Sequence, residues 1–252
     1  MEICDMNDAY SAEDGNWGFD HTVIILRKSE DEYFYAKSSQ RIFSDNEVDI
    51  DALDTVAIPA EHIWPLADPK FTRAPNPLPK SCYLKQKRLI CYEDGPYAHE
   101  YGDTILAEAE ACEVLRKLPH PNIVQYLGCV VKDGRIRGLA FAKHSVSLLE
   151  MLDEKIPFDK SRCLEGIEAG IRHMHHLGLV HNDINPANIM MDGNKPVIID
   201  FDSCMPEGRR LNKGGTEGYS LEAEYSKRSN DLYSLSRLRQ SVMEGELYNK
   251  VC

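Results

Sequence analysis

The sequence predicts an α+β fold, strand-rich in its first part and helical in its second. Three observations carry this. Short β-branched and aromatic runs dominate up to about residue 143, with one helical run among them, apolar residues recur at helical spacing beyond it, and the two kinds of pattern do not alternate regularly. The 252 residues are 42% hydrophobic and 28% charged, with 16 Gly and 13 Pro, which excludes collagen-like and wholly disordered classes and leaves core enough for one large domain or two small ones.

Taken in order, the first twenty residues (MEICDMNDAYSAEDGNWGFD) show no periodicity and are predicted to be a loose acidic lead. HTVIILRK and EYFYAK, joined by a polar Ser-Glu-Asp, predict a hairpin. The proline-rich stretch IPAEHIWPLADPKFTRAPNPLPK predicts an extended linker with Trp64 as an anchored residue. CYLKQKRLICY then reads as a strand, and TILAEAEACEVLRKL as a helix with Ile105, Leu106, Cys112, Leu115 and Leu118 available for a face. HPNIVQYLGCVV and GLAFA, around a KDGR turn, are two further strands. SLLEML is helical. PFDKSRCLEGIEAGIRHMHHLG is a longer helix, capped by Asp159, striped by Leu164, Ile167, Ile171 and Met174, and stopped at Gly178. These elements divide the chain into an acidic N-terminal extension with a hairpin and a proline-rich linker (1–75), a strand-rich segment (76–143) and a helical segment (144–252).

The formal charge of -12 is concentrated at one end, since residues 1–60 hold 14 Asp+Glu against 4 Lys+Arg. Such a balance argues against nucleic acid as a partner and predicts that the N-terminal region attracts a basic one. Eight cysteines are scattered without a C-x-x-C pair, which argues for reduced thiols rather than a disulfide framework or a zinc site. The apolar runs are too short to span a bilayer and no signal-type n- and h-region opens the chain, so the expectation is a soluble intracellular protein, cytoplasmic or nuclear, without a membrane partner.

The most informative stretch is LVHNDINPANIMMDGNKPVIIDFDSC, which places Asn188 and Asp200 five and seventeen residues after Asp183. Phosphoryl transfer asks for one carboxylate to orient or deprotonate the attacking hydroxyl, and for oxygen ligands that hold Mg²⁺ against nucleotide phosphates. Asp183 suits the first task, Asn188 and Asp200 the second. IMM and PVIID are two apolar strands around an Asp-Gly turn, so Asp200 projects where a buried strand meets a loop.

At these residues the sequence resembles the eukaryotic protein kinase family, and within it a set of short fungal kinase-like proteins that share HNDINPxNIM and IDFDSC. Further marks are HPNIV at His120 to Val124, GGTEGY at Gly214 to Tyr219, which looks like the end of an activation segment, and SNDLYSLSRL, which places Asp231 like the aspartate opening the helix after it. The resemblance covers about residues 76–240. It implies a bilobal protein kinase-like fold with a strand-rich N-lobe and a helical C-lobe, shortened because only 21 residues follow Asp231. It also implies ATP and Mg²⁺ as cofactors, a protein substrate, Asp183 as catalytic base, Asn188 and Asp200 as metal ligands, and His181 as a structural histidine bracing the D-F-x turn. A strand lysine must grip the phosphates and a helix glutamate must hold it. Lys85 and Lys87 share one strand face, with the resemblance favouring Lys85; Glu108, Glu110 and Glu113 are the candidate partners, of which Glu108 is taken. Backbone groups near Ala140 to His144, Ala142 among them, would pair with adenine.

Four features depart from the family pattern. FTRAPNPLPKS stands where a glycine-rich phosphate loop is expected, and its prolines lack amide donors. Asn182 replaces the usual arginine, so no switch through a phosphorylated activation loop is predicted. Asp202 replaces the glycine of D-F-G, adding either a third carboxylate near the metals or a stiffer loop. The fourth departure is the early stop. Asn185 moreover stands where Ser/Thr kinases carry lysine. The leading expectation is an ATP- and Mg-dependent protein Ser/Thr kinase. The alternatives are a small-molecule phosphotransferase of the aminoglycoside or choline kinase type and a pseudokinase acting as a binding module.

Overall fold

The computed structural model describes all residues except 14–15, 87, 90–91, 93–99, 212, 246 and 248–252, so Lys87 lies outside the described residues. Its residues fall into two compact units, one formed by Met1–Ala67, Gln86–Ile105 and Lys132–Arg137, the other by Asp68–Lys85, Leu106–Val131 and Gly138–Cys252. The first unit therefore takes in two stretches from beyond residue 75, where the sequence alone placed its boundary.

The first unit is built on a four-stranded antiparallel sheet, β1 (Glu2–Glu13), β2 (Asn16–Ser29), β3 (Glu32–Ser38) and β4 (Val56–Ile58), in that order, followed by one helical turn, α1 (Ala60–Ile63). The apolar run of β2 is continuous because both faces of the strand are covered. Val23 and Ile25 pack with Tyr35, Ile58, Ile63, Trp64, Leu89 and Tyr92; Ile24 and Leu26 pack with Ala36 beneath Ile42, Val48, Ile50 and Leu53. Each such side chain, fully withdrawn from water, contributes about 1.5–3 kcal/mol.

Two expectations are corrected here. The described part of the first twenty residues is not loose: β1 pairs with β2 from Glu2↔Arg27 to Glu13↔Asn16, with register shifts between Ile3 and Asp5 and between Ala9 and Tyr10. These shifts break the two-residue alternation that would have marked a strand. Three of its acids are also partnered, Glu2 with Arg27, Asp5 with Arg88 and Asp8 with Arg41. Nor is Trp64 a lone anchor. Ile58, Ile63 and Phe71 of the same proline-rich stretch are buried as well, and the Arg137 guanidinium lies 3.8 Å from the centre of the Trp64 ring.

The first strand of the second unit is β5 (Cys82–Lys85), and the unit contains most of α2 (Glu100–Lys117). With β6 (Tyr126–Lys132) and β7 (Arg135–Ala142), β5 forms a sheet of order β5-β7-β6. Residues Asp133 and Gly134 take φ of 52° and 73°, the paired positive values of a tight two-residue hairpin turn. On α2, Ile105, Cys112 and Leu115 are buried as expected, but Leu118 is 54% exposed because it lies past the last helical residue.

β8 (Val146–Ser147) leads into α3 (Leu148–Asp153), whose start is fixed by a reciprocal Ser147/Glu150 capping box. α4 (Lys160–His176) is capped by Asp159 and buries Leu164, Ile167, Ile171 and Met174 as its spacing predicts. Then come β9 (Leu179–Val180), a 3₁₀ turn at Pro186–Asn188, β10 (Ile189–Asp192), β11 (Lys195–Ile198), β12 (Met205–Pro206) and α5 (Arg228–Glu244). α4 packs on β9, β11 and α5, and β10 pairs with β8 and β11, so residues 181–204 are carried on a rigid frame. No helix among the described residues is long and apolar enough to cross a membrane.

Candidate active site

β9 delivers the chain to residues 181–188, and that loop is tied to the first turn of α5. Asp231 is fully buried, and its oxygens accept from the His181 N–H at 3.0 Å, the Asn182 N–H at 2.8 Å and the His175 ring at 2.7 Å. His181 Nδ1 accepts from the Asp183 N–H at 3.3 Å, which assigns the ring hydrogen to Nε2, donated to the Ile199 carbonyl at 3.0 Å. Asn182, in the left-handed region at φ 63°, reaches the Val180 and Ser203 carbonyls and the Ser226 hydroxyl, and accepts from Asn230. A neutral side chain thus closes a buried hydrogen-bond set at this position.

Asp183 Oδ1 accepts from the Thr216 N–H at 2.8 Å and Asn185 Nδ2 at 3.1 Å; its Oδ2 accepts from Asn188 Nδ2 at 3.1 Å. Asn188 also donates to the Asp183 carbonyl at 2.9 Å, so its amide nitrogen is committed and its side-chain oxygen points elsewhere. Asn185 reaches the Thr216 hydroxyl at 2.9 Å, and its oxygen accepts from the Ala187 N–H.

Lys85, at the end of β5, places Nζ 2.7 and 2.8 Å from the two oxygens of Glu108 and 2.8 Å from Asp200 Oδ1. Its three ammonium hydrogens are all used. Burial alone would push the ammonium pKa down, but the Glu108 and Asp200 carboxylates outweigh it and hold Lys85 above the ordinary lysine value. Burial pushes the Glu108 carboxyl up, against the opposing pull of Lys85. Glu108 also accepts from the Phe201 N–H at 3.2 Å, while Asp200 sits at φ 64°, a conformation only the surrounding bonds make tolerable. Asp202 accepts from Lys213 Nζ at 2.7 Å and from the Ser203 hydroxyl at 3.2 Å, and its N–H donates to Asp200 Oδ1 at 3.4 Å.

The structure thus brings Asp183 against Asn188 and gathers Lys85, Glu108 and Asp200. The two groups are joined through the backbone, where the Ile199 N–H donates to the Asn188 carbonyl at 3.0 Å. The other candidate glutamates face elsewhere: Glu110 pairs with Lys70, and Glu113 accepts from the Thr72 N–H and hydroxyl. The Ala142 N–H donates to the Gln125 carbonyl at 2.9 Å. Four contacts were not foreseen from the sequence: Thr216 and Asn185 on Asp183, Lys213 on Asp202, and His175 on Asp231. Thr216 at least carried a signal, since it lies inside the GGTEGY motif. A cavity of about 680 Å³, lined among others by Leu115, Arg116, His120 and Lys195, shares with the predicted site only Ala142 and His144 of the 140–144 segment.

The stretch that replaces a glycine-rich loop is pinned to β6. Thr72 O accepts from the Cys129 N–H at 2.7 Å and the Ala74 N–H donates to Cys129 O at 2.9 Å. The approach is so close that a Cβ at Gly128, which sits at φ 129°, would lie 2.5 Å from the Ala74 nitrogen. The amides of Thr72 and Ala74 are therefore already committed, and Pro75, Pro77 and Pro79 have none.

The protein kinase domain model matches residues 93–247, a stretch that contains Glu108, Asp183, Asn188, Asp200 and Asp231 but not Lys85. The chain is 30% identical over 154 residues to a G-type lectin S-receptor-like serine/threonine-protein kinase of Arabidopsis thaliana, covering 52% of this chain and 18% of that one. It is 34% identical over 92 residues to a mitogen-activated protein kinase kinase kinase of the same plant, covering 35% and 14%. The chain spans less than a fifth of the length of these curated relatives. With more than half of its residues inside the match, and with a strand-rich N-terminal sheet before a helical part, the chain belongs to the protein kinase domain family.

Proposed function

We propose that the chain transfers the γ-phosphoryl group of Mg-ATP to a serine or threonine hydroxyl of a protein. The observation that carries the reading is the lodging of Lys85 between Glu108 and Asp200. Placing a cation and two carboxylates there contributes less to stability than apolar filling would, so such a cluster points to use rather than to packing. In this reading Asp183 Oδ2 orients the attacking hydroxyl and takes its proton. Asn185, Asn188 and Thr216 hold the carboxylate still, which limits the reorganisation needed as charge develops.

The donor set fits Mg²⁺. The Asn188 side-chain oxygen and the Asp200 oxygen not used by Lys85 are hard ligands, and Mg²⁺ completes its shell with water and phosphate oxygens rather than with a closed protein cage. That ion, when bound, would neutralise phosphate charge. Lys85 must release one of its three acceptors before it can meet an α- or β-phosphate. The Ala142 and Lys143 N–H groups, held by the Gln125 and Ser81 carbonyls, would not be available to adenine, so the pairing falls to other backbone groups of residues 140–144. The relatives named as serine/threonine and mitogen-activated kinase kinase kinases favour a protein hydroxyl over a small-molecule one.

The test is transfer of labelled phosphate from Mg-ATP to generic protein substrates by wild type and Asp183→Ala. Transfer by wild type alone supports the reading, and equal absence in both overturns it. A second reading, a nucleotide-independent binding module, is favoured by the committed amides of Thr72 and Ala74. A ligand present at a hundred times its Kd raises stability by about 2.7 kcal/mol. No rise in the thermal midpoint at millimolar Mg-ATP would therefore select this second reading.

A further inference from the structure

We infer that Lys213 is the cation that meets the γ-phosphoryl group, standing in for the lysine that the loop at 181–188 lacks; the inference rests on the kinase reading above. Residues 181–188 contain no Lys or Arg, and the three donors of Lys85 are taken by Glu108 and Asp200. A phosphoryl group passing to an acceptor beside Asp183 therefore finds no basic side chain on the loop that carries Asp183. Transfer of so charged a group depends on cations aimed at its equatorial oxygens.

Lys213 is bracketed by two contacts that keep it near that place. Its Nζ lies 2.7 Å from Asp202 Oδ2, and the Asp202 N–H donates to Asp200 Oδ1 at 3.4 Å. Three residues further on, the Thr216 N–H donates to Asp183 Oδ1 at 2.8 Å. Three residues of chain span at most ~10 Å, so Lys213 is tethered between the carboxylate proposed to hold Mg²⁺ and the one proposed to accept the proton. The Lys213 side chain is 50% exposed and its pairing with Asp202 is of the weak, water-screened kind. A phosphate, doubly charged and with three acceptor oxygens, displaces a single carboxylate from such an ammonium. Asp202, in place of the usual glycine, parks the lysine until the nucleotide arrives.

The experiment is calorimetric titration of the full chain with Mg-ATP and with Mg-ADP, for wild type, K213A and K213R. A contact made only to the terminal phosphate predicts that K213A weakens ATP about tenfold while ADP changes less than about twofold, and that K213R retains the ATP preference. K213Q, which keeps the stem, replaces K213A should the latter unfold. Placing a cation back on the loop in the double variant N185K/K213A is expected to recover ATP affinity. If wild type binds both nucleotides and K213A shifts both alike or neither, Lys213 is only a strap on Asp202 and the inference falls alone. If wild type binds neither nucleotide, the kinase reading falls and takes this inference with it.

Discussion

Replacing Asp231 by alanine removes the acceptor of three donors in a place water does not reach. The side chain is fully buried and its oxygens receive the His181 N–H, the Asn182 N–H and the His175 ring at 3.0, 2.8 and 2.7 Å. Each buried donor left without an acceptor costs about 1–3 kcal/mol, and partial relaxation keeps the sum near the roughly 3–5 kcal/mol seen when a buried charged partner is removed. Asp231→Asn is expected to cost less. Its oxygen can keep the Asn182 N–H, and its amide can donate to His175 once that ring moves its hydrogen to the other nitrogen. The His181 N–H alone then faces a donor, at about 1–3 kcal/mol. Equilibrium urea denaturation should show midpoints falling from wild type through Asp231→Asn to Asp231→Ala at constant slope. An alanine variant within about 1 kcal/mol of wild type, or an asparagine variant as unstable as the alanine one, would refute the account of how residues 181–183 are held.

Other outcomes follow from the same contacts. Burial pushes the thiols of Cys112 and Cys204 well above their ordinary value and that of Cys163 to about 12, so iodoacetamide at pH 8 should modify exposed Cys4 and leave these three intact until denaturant is added, as read by peptide mass spectrometry. Because the Lys85 pKa is raised on folding, the stability it contributes is fully present below the ordinary lysine value of 10.5 and is lost as pH rises beyond that towards its folded value. The urea-measured stability difference between wild type and Lys85→Met should therefore be flat from pH 7 to about 10 and turn against wild type above it; a decline beginning near pH 8 would contradict the ion-pair assignment. A Cβ at position 215 would lie 2.7 Å from the Asn182 carbonyl and 3.3 Å from Asp183 Oδ1. Gly215→Ala should displace Thr216 from Asp183 and lower phosphoryl transfer at least about tenfold while costing about 1–3 kcal/mol of stability; unchanged transfer would show that the Thr216 contact is idle.

The parts of the site legible in the sequence were those set by local chain geometry. Asp183 and Asn188 meet because five residues of one tight loop separate them, and Asp200 follows from two short strands joined by a turn. The choice among glutamates could not be read locally. Successive helical residues turn by about 100°, so Glu110 lies far round the helix from Glu108, and only packing decides which of them faces β5. β1 escaped notice because two register shifts scramble its alternation, while β2 was plain because four consecutive apolar residues fill two faces of a sheet. The partners of Asp231 come from a distant stretch of chain, and Lys213 reaches Asp202 from eleven residues on without a regular element between them, so neither left a spacing to recognise.

The way the first unit is threaded has a consequence for synthesis. Its sheet comes from residues 2–58, yet Leu89 and Tyr92 fill one of its two apolar faces, and Lys132 and Arg137 neutralise Glu30 and Asp31. A ribosome making this chain releases the strands long before the pieces that finish their packing. Until Leu89 and Tyr92 have left the exit tunnel one apolar face of the nascent sheet lacks its last covering side chains, and Glu30 and Asp31 wait for their cations until residue 137 is out. The N-terminal sheet is thus completed in the interval of translation from residue 86 to residue 137, whereas the Lys85 pocket waits further, for Asp200.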